Sequence, residues 1–361
     1  MVRTVGVEEE FLLLDPATGV NLPVAGRVVA ALPESLRRRS RREFRPSMLE
    51  MVSDVCVEAD DLARQLAQNR GAAGAAAATA GVLLVAVGAS PVAEPDREPD
   101  DDPRFRAITD FYGPVARDPA LCGCHVHVGV DDPEHAVEVC NRLRPDLPLI
   151  QALSANSPLC EGADTGYASW RSVQLRRWPA LGPWPHAGSV AEVEETVAAL
   201  VAAGEMMDAS MELWWARPSR TFPTVEVRVA DVGPAPADAV LLAMLVRGLV
   251  ETSTEGPMVS DLLLTAAHGN AARSGMGGTL LCLRTGRARP AWDLVGEMVD
   301  RIAPALRKAG DLDAVVAGLD RIRREGTGAD RQRRLLAAPG TTIPAMLRAF
   351  SVSPGDRPAT A

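Results

Sequence analysis

The sequence predicts an α+β protein in which a mostly antiparallel sheet carries helices on one face and lines a cleft with the other. Three observations lead there. Strand-like and helix-like segments alternate along the chain without a fixed repeat. Three strand-like runs, far apart in sequence, each alternate an apolar face with a face bearing ionisable side chains. Two helical segments, an alanine-rich one at 59–81 and an apolar one at 236–252, suit the role of covering the apolar side.

The first run, "TVGVEEEFLLLD" (4–15), reads as a strand. Alternation puts Glu8 and Glu10 on one face with Leu12 and Leu14, and Glu9 on the other with Val7 and Phe11. Two carboxylates about 7 Å apart along one strand face repel each other unless a cation lies between them. Next come a short helix over 24–39 that ends in a basic cluster, and an irregular strand or hairpin arm over 43–56. The alanine-rich helix leads into a buried strand at 82–88, and 91–103 is a proline-rich acidic loop. A helix over 104–117 precedes the strand "CGCHVHVGV", and 133–156 forms one or two helices around Pro145 and Pro148. Residues 157–187 make an irregular Gly-, Pro- and Trp-rich segment too long to be a mere connection. Ser189 and Glu192 form a capping box for a helix to about 207. "FPTVEVRVADV" is a strand, the remainder after 252 is largely helical, and the last ten residues fray.

Composition narrows the function. The 361 residues carry a net charge of −9 and no basic run interleaved with aromatics, which argues against nucleic-acid binding. Strand-like sequence begins within a few residues of Met1, so no signal peptide is expected. The uncharged stretch 71–93 is mostly Ala and Gly and reads as a helix running into a strand, not as a membrane span. The six cysteines show no paired C-x-x-C zinc spacing and are expected to be free thiols in a reducing cytoplasm.

The chemistry lies on the ionisable faces. In "CHVHVGV" (124–130), His125, His127 and Gly129 share one face and three valines the other. In "TVEVRVA" (224–230), Thr224, Glu226 and Arg228 oppose Val225, Val227 and Val229. Taken singly, each strand also fits an ordinary solvated face. Side by side, their carboxylates and imidazoles would ligate divalent metal ions, with Glu50 at the end of "SMLE" as a further carboxylate. Arg171, Arg217 and Arg273 fit clamps for phosphate or carboxylate groups. No P-loop is present, because "GMGGT" lacks the lysine, so a nucleotide would be held by metal and arginine.

Six segments occurring in order, "GVEEEFLLLDPATG", "SMLEMVSDVC", "CHVHVGV", "LSANSP…GADTGYASWR", "RPSRTFPTVEVRVADV" and "ADRQRR", resemble the carboxylate–amine ligases related to glutamate–cysteine ligase, the type 2 or YbdK-like group. The resemblance spans nearly the whole chain. It implies a glutamine-synthetase-like catalytic fold: a curved, mostly antiparallel sheet forming a funnel, helices on its outer face. It also implies ATP as co-substrate and two or more Mg2+ or Mn2+ ions. A glutamate-like carboxylate would attack the γ-phosphate, and an amine would then displace phosphate from the acyl phosphate. Carried over by motif position, Glu8, Glu10, Glu50, His125 and Glu226 would hold the metal ions. Glu226, Arg228 and His127 would be catalytic, Arg228 and Arg273 would bind nucleotide, and Arg171, Arg217, Trp215 and Tyr167 would bind substrate. Residues 1–351 would be a single ligase domain and 352–361 a flexible tail. A cytoplasmic homo-oligomer, dimer or larger, acting on small molecules is implied, with no nucleic-acid or membrane partner.

The chain departs from that pattern in places. "GASP" (88–91) lacks the usual histidine, Pro46 replaces a common acid, and Glu43 stands where relatives have Asp. Trp214-Trp215 replaces Trp-Asp, and Ala267-His268 replaces an Asn-Arg pair. Trp215 in place of an acid points to a less polar acid or acceptor. Two other classes fit parts of the pattern: a metal-dependent hydrolase using His125 and His127, and a non-catalytic paralogue that binds a nucleotide or metabolite.

Overall fold

The structure is a computed structural model that describes residues 2–252 and 259–352. The predicted tail, beyond Val352, lies outside the described residues. At the centre is a seven-stranded sheet built from β1 (Val5–Leu14), β2 (Ser40–Arg41), β3 (Met48–Val52), β4 (Leu83–Val85), β5 (Gly123–Gly129), β6 (Ala216–Pro218) and β7 (Thr224–Asp231). The order is β6-β7-β5-β1-β3-β2. β4 runs beside the C-terminal half of β1, on the edge that β5 occupies further back. Every pairing in this sheet is antiparallel. The three strands singled out from the sequence are therefore neighbours, with β5 between β7 and β1.

The valine face of these strands is the main core. Val5 and Val7, Val126 and Val128, and Val225, Val227 and Val229 are all buried in one apolar cluster. Helices Ala59–Thr79, Pro133–Leu143 and Pro236–Glu251 contribute Leu62, Leu66, Val137, Leu242 and Leu245 to it. The Pro236–Glu251 helix is apolar around its whole circumference because it packs against the sheet and also against neighbouring helices on its other sides. Phe11, Leu12, Leu13 and Leu14 are all fully buried in a second cluster. Consecutive burial means that this end of β1 is covered on both faces.

Glu9 points into the helical layer, as alternation requires, and meets Arg70. Both side chains are buried, and Arg70 Nε donates to Glu9 Oε2 at 3.1 Å. Arg70 also donates to the carbonyls of Gly233 and Pro234 at 2.9 and 3.0 Å. The run of three glutamates thus divides: Glu8 and Glu10 go to the cleft, and Glu9 is neutralised from the "RQLAQNRGAAG" helix behind.

Several boundaries differ from the sequence reading. The 24–39 helix breaks at Pro33 into Ala25–Ala31 and Glu34–Arg37, since proline disfavours helix at the residue before it. The 104–117 helix ends at Tyr112, and Gly113 at φ 58° starts a 3-10 turn. The helix capped by Ser189 stops at Ala202, not 207. Only Leu83–Val85 of 82–88 pairs as strand. The "largely helical" remainder also contains a hairpin, Thr279–Cys282 with Arg287–Pro290. All six cysteines are free. Among the described residues no helix is long and apolar enough to cross a membrane.

Removing Arg70 leaves the Glu9 carboxylate buried without its partner. Arg70→Ala is expected to lower the unfolding free energy by about 3–5 kcal/mol, measured by chemical denaturation.

Candidate active site

The sheet's polar face is organised by register. Glu8 lies opposite His125 across β1 and β5, and His127 lies opposite Glu226 across β5 and β7. Their side chains meet. Glu8 Oε2 is 3.2 Å from His125 Nδ1, and Glu8 Oε1 is 3.3 Å from His127 Nε2. His125 also lies 3.7 Å from Glu10 Oε1 and 3.9 Å from Glu226 Oε1. Thr224 Oγ1 occupies His127 Nδ1 at 2.9 Å, which turns Nε2 toward Glu8.

Two groups of ligand-type atoms result. One joins Glu8, His127 and Glu226, the other Glu10, Glu43 and Glu50, and in each the donor atoms lie within 4.8 Å of one another. Glu10 and Glu50 are direct cross-strand partners in β1 and β3. Glu43 reaches them from the turn between β2 and β3. Gly123 N–H donates to Glu10 Oε2 and fixes its direction. A Cβ at Gly123 would meet the Arg171 guanidinium and lie 3.2 Å from His125 Nε2, so a larger residue there would displace side chains of the site.

The electrostatics of the two groups differ. Burial alone would raise the Glu8 carboxyl, but hydrogen bonds and charge from His125 and His127 hold it well below the usual carboxylate range. Glu226 is likewise held down against its burial, by Arg228 and then Arg217. Arg217 Nε donates to Glu226 Oε2 at 2.9 Å, and Arg228 donates to Glu226 Oε1. Among the described residues no Lys or Arg pairs with the second group, whose nearest basic side chain is His125, 3.7 Å from Glu10. Desolvation and the charge of Glu10 push Glu43 up to about 7, and burial with the charge of Glu43 pushes Glu50 well above the ordinary value. Oxygen donors at this density suit a hard divalent cation such as Mg2+ or Mn2+, and the mixed imidazole–carboxylate group also accepts Mn2+.

Arg228 stands at a β-bulge: the β5–β7 register shifts between Val227 and Ala230. Its N–H donates to Trp215 O at 2.8 Å. The bulge places Arg228 on the lining of two cavities. One, of 240 Å³, is lined by Glu8, His127, Arg217, Phe222 and Glu226. The other, of 350 Å³, includes Glu43, Arg171 and Trp215. Arg171 is buried beneath the second cavity. Its Nη2 donates to Arg228 O at 3.3 Å, it lies 3.8 Å from Asp231, and its Nε has no partner. Asp231 is anchored by Asn156 N, Ser157 Oγ and Ser169 Oγ at 2.9, 2.7 and 2.9 Å.

Glu8, Glu10, Glu50, His125, His127, Arg217, Glu226 and Arg228 are thus gathered on one face, and Arg171 and Trp215 line the adjoining cavity. Two residues named from the sequence are not brought there. Arg273 is exposed near the C-terminus of the Asp261–Ser274 helix. Tyr167 packs edge-on against Trp170 at 5.6 Å, and neither Arg273 nor Tyr167 lines either cavity. Glu43 was noted in the sequence only as a departure, yet it completes the second acidic group. Its signal was a carboxylate seven residues before Glu50. The two departures Trp215 and His268 prove to be partners, with ring centroids 3.8 Å apart.

Comparison with known proteins agrees with this geometry. The description "Glutamate-cysteine ligase family 2" matches residues 4–350. A relative from Salinispora tropica with the provisional name glutamate–cysteine ligase 2 is 53% identical over 351 residues, 95% of this chain and 93% of its own. Among solved structures, a Francisella tularensis glutamate–cysteine ligase in complex with AMP superposes with a TM-score of 0.71 at 14% identity, covering 97% of this chain and 88% of its own. A bifunctional glutathione synthetase from Pasteurella multocida gives 0.67 at 13% identity over 96% and 51%. The class is therefore that of an ATP-dependent ligase forming C–N bonds. The chain belongs to glutamate–cysteine ligase family 2.

The raised Glu43 carboxyl carries a sign. Between its ordinary value of 4.5 and about 7, the folded protein holds a proton that the unfolded chain lacks. The stability it contributes is complete below the ordinary value and lost as pH rises through about 7. Metal-free protein is expected to melt progressively lower across that window. Millimolar Mn2+ should restore the melting temperature at the alkaline end, as scanning calorimetry would record.

Proposed function

We propose that this protein joins a carboxylate to an amine through an acyl phosphate, at the expense of ATP, over residues 1–351 acting as one domain. The substrate carboxylate oxygen bonds to the γ-phosphorus while the β,γ-bridging bond breaks and ADP leaves. The amine then attacks the acyl carbon, and inorganic phosphate leaves with the bonding pair of the C–O bond. The amine proton passes to solvent or a nearby base.

One observation carries this reading: Arg228 separates two cavities and contacts the Glu8–His127–Glu226 group from one of them. Phosphoryl transfer asks mainly for neutralisation of charge and in-line placement. Glu8, His125, His127 and Glu226 on one side, and Glu10, Glu43 and Glu50 on the other, would hold two Mg2+ or Mn2+ ions. Such ions neutralise charge on the phosphates. Arg228, fixed by the bulge and by Glu226, would face the transferring phosphoryl, and Arg217 would keep Glu226 ionised and aimed. Arg171 would orient the acid from the larger cavity. The site supports no role for Arg273 or Tyr167 in direct contact. The reading carries with it a cytoplasmic homo-oligomer.

A screen of paired carboxylates and amines with Mg2+ or Mn2+ is expected to show ADP release that requires both partners. Glu226→Gln and His125→Ala should each reduce that rate at least about a hundredfold with the circular dichroism spectrum unchanged. Undiminished rates in either variant would contradict the metal assignment. No ADP release with any pair would favour a non-catalytic binding protein.

A further inference from the structure

The larger cavity has a mixed lining of charged and aromatic side chains. Of its lining, Arg228 pairs with Glu226 and Glu43 belongs to the second acidic group, and Arg171 donates to Arg228 O. Much of the rest of the wall is Phe44, Phe105, Trp178, Met211, Leu213 and Trp215. Three of these rings interlock edge to face: Phe44 lies 5.4 Å from Phe105 and 6.2 Å from Trp178. Such mutual support makes the wall preformed.

The other charged groups on the lining have partners within the protein. Arg45 donates to the carbonyls of Ala116 and Asp118, both at 2.8 Å. Asp118 pairs with Arg177 at 2.6 Å, and Arg42 lies 3.8 and 3.7 Å from Asp100 and Asp102. Arg171 is 95% buried and lies 3.8 Å from Asp231; its carbonyl contacts are long at 3.3 and 3.5 Å, and its Nε, like Arg45 Nη1, has no partner. The cavity therefore offers a buried cationic clamp at Arg171 and an aromatic body pocket.

Trp215 closes that pocket and is braced from behind. Its ring lies against His268, whose Nδ1–H donates to Gln151 Oε1 while Gln151 Nε2 donates to His268 O at 3.2 Å. Burial, then the charge of Arg176, pushes the imidazole well below its ordinary value and keeps it neutral. A neutral, hydrogen-bonded ring makes a fixed apolar backing for Trp215.

We propose that the acid used by this enzyme carries its carboxylate on an apolar, aryl-sized body. The carboxylate is held by Arg171 beside Arg228, and the body lies against Phe44, Phe105, Trp178, Met211, Leu213 and Trp215. This rests on the ligase reading above and names its acid.

The test is equilibrium binding to the full-length protein with Mg2+ and ADP present, followed by calorimetry. The ligands are 3-phenylpropanoate, acetate and glutamate. 3-Phenylpropanoate is expected to bind at least about tenfold more tightly than either of the others. Trp215→Asp is expected to erase that advantage; if the variant does not fold, the wild-type ranking decides alone. Glutamate binding as tightly as 3-phenylpropanoate, or acetate doing so, or no binding of 3-phenylpropanoate, overturns the proposal. An ADP-release assay separates the two readings. Selective binding of the aryl acid without turnover on any amine upholds the cavity assignment and defeats the ligase mechanism. Turnover with glutamate in preference to aryl acids does the reverse.

Discussion

The site is governed by like-charge repulsion on one face of a sheet. Five glutamates, at 8, 10, 43, 50 and 226, stand in two groups whose donor atoms lie within 4.8 Å of one another. At such a separation two full negative charges repel by about 4 kcal/mol at the effective dielectric of a protein surface. The protein resolves half of this internally. Around Glu8 and Glu226 it supplies His125, His127, Arg217 and Arg228, so those carboxylates stay ionised. Around Glu10, Glu43 and Glu50 no Lys or Arg among the described residues forms a pair, and burial with mutual repulsion pushes the Glu43 and Glu50 carboxyls up. A carboxylate group whose proton affinity is raised by crowding is one whose repulsion a divalent ion would relieve.

Backbone geometry turns this balance into a device. The two-residue period of β1, β5 and β7 gives one face to valines and the helical layer and the other to ligands. Antiparallel register then sets Glu8 against His125 and His127 against Glu226. The bulge after Val227 interrupts the period once, at Arg228, and sets that guanidinium where both cavities share a wall. Glu9, out of phase with its neighbours, is matched by Arg70 on the covering helix. The same alternation therefore accounts for the core, for the site and for the buried Glu9–Arg70 ion pair beneath it.

This explains what was legible in the sequence. Glu8, His125 and Glu226 could be assigned to a common face because strand alternation is a local property, and their adjacency followed from the ordered segments of the family. Glu43 escaped because it lies in a turn, where no period predicts direction; only the folding of β2 onto β3 carries it to Glu10 and Glu50. Arg273 and Tyr167 look like site residues in linear sequence, yet the helix end and the Trp170 contact hold them elsewhere. The contact between Trp215 and His268 joins residues far apart in the chain, so the two departures read as unrelated until the fold set them face to face. Helix ends were misjudged where Pro33 and Gly113 outweighed a favourable pattern.

The central claim, that the two carboxylate groups exist to hold divalent ions, is tested most directly by locating manganese. Crystals grown with Mn2+ and a non-hydrolysable ATP analogue would be measured for anomalous scattering. The account predicts one peak among Glu8, His127 and Glu226 and another among Glu10, Glu43 and Glu50. Manganese absent from both groups, with the analogue bound elsewhere on the protein, would contradict it.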